Sequence, residues 1–144
     1  MNRRMRILLV EDNPADADLT REVLEMSGHP LEIKVAVDGA DALAWLFRDH
    51  PYEDQANAPH PDFIIMDLNL PKLDGLQLLS EIKSHEELRT IPIAVLTSSA
   101  ARQDVLESYR RGANCYVTKP GEPRAYQRTI KSIEHFWFTV AVRP

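Results

Sequence analysis

Short apolar runs alternate along this chain with stretches in which apolar residues return every three or four positions. Arg6-Ile7-Leu8-Leu9-Val10 is the first such run and reads as a strand. Asn13 then offers a helix N-cap and Pro14 suits the first helical turn. Leu19, Val23 and Met26 mark an inward helical face that Gly28 ends. Ile33, Val35 and Val37 alternate with Lys34 and Ala36, the pattern of a half-exposed strand at a sheet edge. Asp38-Gly39 opens a second helix with Leu43, Leu46 and Phe47 inward. Phe63-Ile64-Ile65-Met66 is apolar at every position, which predicts a central strand covered on both faces. A third helix after Gly75 carries Leu76, Leu79 and Ile82. Ile93-Ala94-Val95-Leu96 follows Pro92 as a fourth strand, since proline is tolerated at a strand start. Ser99 suits the cap of a fourth helix with Val105 and Tyr109 inward, ended by Gly112. Asn114-Cys115-Tyr116-Val117 is a fifth strand, and a last helix is expected over about 122–143.

Five strand–helix units with nearly continuous apolar strands call for a parallel sheet with helices on both faces, an α/β doubly wound fold. Right-handed crossovers leave few topologies, and ligands in such sheets bind just beyond the carboxyl ends of the strands. The stretch 49–61, with three prolines and several polar residues, is expected to be a long surface loop.

At 144 residues the chain has room for one domain with a hydrophobic core of its own. Its net charge of −5 weighs against nucleic acid or a membrane surface as partner, despite the basic start Arg3, Arg4 and Arg6. The single cysteine, Cys115, excludes an intramolecular disulfide and suits a reducing compartment. No apolar run approaches the ~20 residues that span a bilayer, and no signal segment is evident, so a cytoplasmic protein is expected. The five histidines (His29, His50, His60, His85, His135) form no spacing suited to zinc.

The chemistry gathers at the strand ends. The first strand ends in Glu11-Asp12, the third in Asp67, the fourth in Thr97, and the fifth leads to Lys119-Pro120. Taken singly each has a plain reading: a turn-forming aspartate, acids complementing a helix dipole, a threonine ending a strand, a lysine on a loop. Brought to one sheet edge they are something else. Three carboxylates repel one another unless a cation sits among them, and Mg²⁺, which takes one or two carboxylates plus water and phosphate oxygens, is the natural choice. A hydroxyl and an ammonium suit phosphoryl oxygens. A carboxylate nucleophile, a metal and a lysine together make a phosphoryl-transfer site.

With Glu11-Asp12 after Ile-Leu-Leu-Val, Asp67 after Phe-Ile-Ile-Met, Pro71, Asp74-Gly75, Thr97-Ser98, Tyr116 and Lys119-Pro120, the chain resembles the receiver domain of two-component response regulators from about Met5 to about Ile133. The resemblance implies a flavodoxin-like (βα)5 fold with strand order 2-1-3-4-5, Asp67 as phosphoacceptor, and Mg²⁺ held by Asp12, Asp67 and the backbone carbonyl of Asn69, with Glu11 acting through water. Thr97 and Lys119 would contact the phosphoryl oxygens, Thr97 and Tyr116 would form the switch, and the Lys119–Pro120 bond would be cis. It further implies a phospho-accepting signalling protein rather than an enzyme, assisting its own phosphorylation and dephosphorylation. The donor would be a sensor histidine kinase, and the output contact with a downstream protein through the fourth helix, fifth strand and fifth helix. Residues 1–144 would be a single receiver domain with an extended C-terminal helix and no separate output domain. Glu-Asp-Asn-Pro-Ala-Asp, the long proline-bearing loop, Asp67-Leu-Asn-Leu-Pro-Lys and the terminal Phe136-Trp137 are similar to the small regulators that partner with bacterial and cyanobacterial phytochrome kinases.

In the last helix Tyr126, Ile130, Ile133, Trp137 and Val140 share an inner stripe at steps of four and three; Phe136 borders it, while Phe138 and Val142 fall outside. A helix of that length overhangs the sheet, so Phe136, Trp137 and Phe138 are expected at an exposed homodimer interface. Four other readings compete, one of them a DNA-binding regulator, which would need residues beyond the receiver to form an output domain. A scaffold that has lost phosphorylation would have a damaged acid cluster, and a flavin carrier would have a phosphate-cradling loop after the first strand. An aspartate-nucleophile phosphatase would have a second aspartate where this chain has Asn69.

Overall fold

The computed structural model describes residues 4–144; Arg3, counted above among the N-terminal basic residues, lies outside them. The apolar runs form β1 (Met5–Val10), β2 (Leu31–Ala36), β3 (Phe63–Met66), β4 (Ile93–Thr97) and β5 (Cys115–Thr118). They pair in parallel as one sheet of order β2-β1-β3-β4-β5. The α-helices are α1 (Pro14–Glu25), α2 (Gly39–Phe47), α3 (Gly75–Ser84), α4 (Arg102–Arg110) and α5 (Pro123–His135). The doubly wound parallel sheet expected from the strand pattern is observed, in the order that the receiver resemblance implies.

Because side chains alternate along a strand, each central strand feeds two cores. Leu8, Val10, Ile64, Met66, Ile93 and Val95 face α2 and α3, whereas Ile7, Leu9, Phe63, Ile65, Ala94 and Leu96 face α1 and α5. The edge strands β2 and β5 are only partly covered, as their mixed patterns require. Helix starts are fixed by side-chain caps: Asn13, Asp38 and Asp74 each accept from the backbone N–H three residues on.

The expected faces shift in three helices. Met26 is exposed, and Val23 and Leu24 form the inward face of α1. Ser99 does not cap α4; it donates to Asp104 at 2.5 Å, and the helix begins after Ala101. Tyr109 is half exposed and the buried residue of α4 is Ser108. In α2, Trp45 joins Leu46 in the core while Leu43 and Phe47 only border it.

The largest difference is at the C-terminus. The α-helical hydrogen bonding stops at His135, and Phe136–Val140 form a π-helical turn before the chain becomes extended at Ala141. A π-turn inserts one residue per turn, so the buried sequence Tyr126, Ile130, Ile133 is continued at a step of five by Phe138 rather than at a step of four by Trp137. Phe138 is 8% exposed and packs edge-on against Phe63, with His29 against its ring. It is therefore a core residue and not part of an exposed interface. Val140, assigned to the inner stripe, is exposed, as is Phe136; Trp137 is partly covered against Phe63. The expected continuous helix over about 122–143 is thus cut short at Val140.

The stretch 49–61 is an ordered surface loop containing a 3₁₀ turn, Glu53–Gln55. It is tied down by Tyr52, whose hydroxyl donates to Asp41 at 2.6 Å and accepts from Lys34 at 2.9 Å. The Arg48 guanidinium donates to the carbonyl of Ala58.

Candidate functional site

The strand ladders run one hydrogen bond further than the strands themselves, and that bond places each acid. Glu11 N–H donates to the Ala36 carbonyl at 2.9 Å, and Asp67 N–H to the Val10 carbonyl at 3.0 Å. Lys119 N–H likewise donates to the Thr97 carbonyl at 2.7 Å. Glu11, Asp67 and Thr97 are buried although polar, while Asp12 is exposed at the rim.

Glu11, Asp12 and Asp67 each present a carboxylate oxygen, all within 4.8 Å of one another. This donor set fits a hard divalent cation: oxygen-only ligands, with one acid open to solvent where water completes the shell. The loop leaving Asp67 is held tight by Gly75. Gly75 N–H donates to the Leu68 carbonyl at 2.8 Å, and a Cβ at position 75 would lie 2.5 Å from the Asp67 carbonyl oxygen. Only glycine lets α3 approach the acid so closely.

Lys119 is the counter-charge. Its Nζ, on a side chain only 8% exposed, lies 2.6 Å from Glu11, 2.8 Å from Asp67 and 2.9 Å from Asp16. An ammonium has three N–H donors, and here each faces a different carboxylate. The charges shape the titrations. Burial raises Asp67, but hydrogen bonds from Lys119, Thr97 and the Asn69 N–H outweigh it and hold the carboxyl below its ordinary range. For Glu11 burial prevails over Lys119, and its pKa is pushed up to about 7. Burial alone lowers Lys119, but its three carboxylate partners raise it above its ordinary value.

The Thr97 hydroxyl bonds to Asp67. Thr97 Oγ1 also accepts, at 3.5 Å, from the N–H of Ser99, whose carbonyl receives the Tyr116 hydroxyl at 2.7 Å. The backbone N–H of Asn69 donates to Asp67 at 3.2 Å. One expectation fails: the Lys119–Pro120 bond is trans, and the cis bond among the described residues is His50–Pro51. Trans is the lower-energy isomer of an X–Pro bond by about 0.5–1 kcal/mol, and here it leads directly into the Glu122 cap of α5.

Sequence reasoning missed two residues. In the sequence Gly75 reads as a helix start, with no sign that it is the point of closest approach. Asp16 closes the Glu-Asp-Asn-Pro-Ala-Asp run, but an acid in a first helical turn reads as dipole complement, and nothing in the run points to Lys119. Nearby, Thr20 and Tyr126 share a buried hydroxyl–hydroxyl bond of 3.0 Å that joins α1 to α5.

A family model described as response regulator receiver domain matches residues 7–131. The chain is 42% identical over 138 residues to the response regulator Rcp1 of a Synechocystis strain, covering 96% of this chain and 92% of Rcp1. Among solved structures, the phosphorylated cyanobacterial phytochrome response regulator RcpA is similar with a TM-score of 0.93 at 42% identity, over 99% of both chains. The Mn²⁺-bound form of Rcp1 is similar with a TM-score of 0.91 at 41% identity, covering 97% of this chain and 99% of that one.

Proposed function

Given that the chain belongs to the response regulator receiver family, we propose that Asp67 accepts a phosphoryl group and that the modified site resets the outer surface of α4, β5 and α5. The observation that carries this reading is the convergence of Glu11, Asp12, Asp67 and Lys119 at one sheet edge from three separate strand ends. The donor is a sensor histidine kinase, and the likeness to RcpA and Rcp1 favours a phytochrome-type kinase. In the transfer the phosphorus–nitrogen bond of a phosphohistidine breaks and a phosphorus–oxygen bond to an Asp67 carboxylate oxygen forms.

Mg²⁺ is the cation proposed, with Asp12, Asp67 and the Asn69 carbonyl as ligands and Glu11 acting through water. When bound it neutralises the acids and the phosphoryl oxygens. Asp67 is ionised and free to attack because its pKa is held low. Lys119 and the Thr97 hydroxyl donate to the phosphoryl oxygens, the groups on which charge accumulates. Drawing Thr97 toward the phosphoryl group shifts Ser99, and with it the carbonyl that anchors Tyr116. Phosphorylation thus selects one of two arrangements of the loop after β4 and of Tyr116.

The surface so altered is where a downstream protein or a second copy docks. Phe136 and Trp137 border an apolar hollow with Cys115, Val117 and Ile133, and this face is the proposed homodimer contact. Incubation with acetyl phosphate tests the whole reading. The parent chain should take up label only with a divalent cation present, and Asp67→Asn should take up none; undiminished label in that variant would overturn it.

A further inference from the structure

Lys119 has one partner that the cation chemistry does not use. Glu11 and Asp67 belong to the cluster that fits a metal, but Asp16 does not, although its carboxylate lies 2.9 Å from the same Nζ. A cation held by Glu11 and Asp67 would compete with Lys119 for two of its three carboxylate partners and leave the third, Asp16, untouched. Asp16 is the third residue of α1, its N–H donating at 3.1 Å to the Oδ1 of the capping Asn13, so its backbone is fixed at the helix start. Its carboxylate also gains from the positive end of the helix.

We propose that Asp16 is a positioning residue for phosphorylation: it holds the Lys119 ammonium beside Asp67 from the α1 side while the other two carboxylates are engaged elsewhere. The inference rests on the phosphoacceptor reading of Asp67, but the tether itself is a contact between the chain's own side chains. A lysine on a four-carbon stem loses reach when untethered, because its rotamer freedom returns. One donor then remains for a phosphoryl oxygen only at the cost of ordering the stem anew.

Two readouts on the full chain test this. In the cation-free protein, NMR detection of lysine ¹⁵Nζ, with Lys119→Arg for assignment, measures how fast the Lys119 ammonium protons exchange with water. Asp16→Ala, with Asp16→Asn as the variant that preserves shape, should speed that exchange by about tenfold, the scale of one charge-assisted hydrogen bond. Asp16→Glu should restore part of it. With Mg²⁺ and acetyl phosphate, the initial labelling rate should fall by a similar factor of about ten, while Mg²⁺ affinity stays within about twofold because Asp16 is not a ligand.

Exchange unchanged in both Asp16→Ala and Asp16→Asn, or too fast to follow in the parent, would overturn the tether. Faster exchange with a parental labelling rate would overturn its part in the reaction. A parent chain that takes no label would instead defeat the phosphoacceptor reading, and the exchange rates would still judge Asp16.

Discussion

The carboxyl edge of the sheet and the last helix meet their expectations very differently. At the carboxyl edge, Glu11, Asp67 and Lys119 sit one residue past their strands, each held by a further rung of the ladder, and they meet as the strand ends required. In the last helix a single π-turn moves the buried position from Trp137 to Phe138 and turns Val140 outward. Backbone pairing in a parallel sheet fixes where a strand-end residue sits regardless of its side chain. A helical face depends on an unbroken count of residues, so one inserted residue reassigns everything after it. The first region is also organised by charge and the second by packing, and they should respond to different perturbations.

Phe138→Ala removes a buried ring from between Phe63 and His29 and should cost about 3 kcal/mol in urea unfolding, with the same loss whether or not Mg²⁺ is present. Lys119→Met leaves buried carboxylates without their counter-charge and should cost about 3 kcal/mol in the cation-free protein. Here Mg²⁺ should recover most of the loss. If Mg²⁺ rescued both variants alike, the division between charge and packing would be wrong.

A smaller effect follows from Glu11. Its folded pKa, about 7, lies above its unfolded value, so its contribution to stability is present below the ordinary carboxylate range and is lost as pH rises through 7. Cation binding runs the other way, since it favours the ionised acid. Mg²⁺ affinity measured by calorimetry should rise about tenfold between pH 6 and pH 8, with proton release on binding below pH 7. Glu11→Gln should flatten that profile. The smallest effect is expected from Phe136→Ala, an exposed ring: at most about 0.5 kcal/mol of stability. Sedimentation over a concentration series should nonetheless show weakened self-association; an unchanged mass would remove this face as the dimer contact.

The parallel sheet and the acid cluster were legible because Ile7–Val10, β3 and Ile93–Leu96 are continuous apolar runs, each followed at once by a polar residue, whereas the strand order came with the resemblance to receivers. The weaker inward faces were not. In α4 the buried position is the small Ser108, invisible to a search for large apolar residues, and the Ser99 hydroxyl donates to Asp104 and accepts from the Ala101 N–H ahead of the helix instead of capping its first turn. Asp16 was hidden for another reason: its partner is 103 residues away, and no spacing rule links a first-turn acid to a lysine beyond β5. The isomer of the Lys119–Pro120 bond was inferred from likeness alone, and likeness does not fix a local backbone preference.

The account stands most directly on where a phosphoryl group ends up. After reaction with acetyl phosphate and Mg²⁺, borohydride reduction converts an acyl phosphate to an alcohol that peptide mass spectrometry can place. Reduction confined to Asp67 is the predicted result; a reduced residue anywhere else, with Asp67 intact, would contradict it.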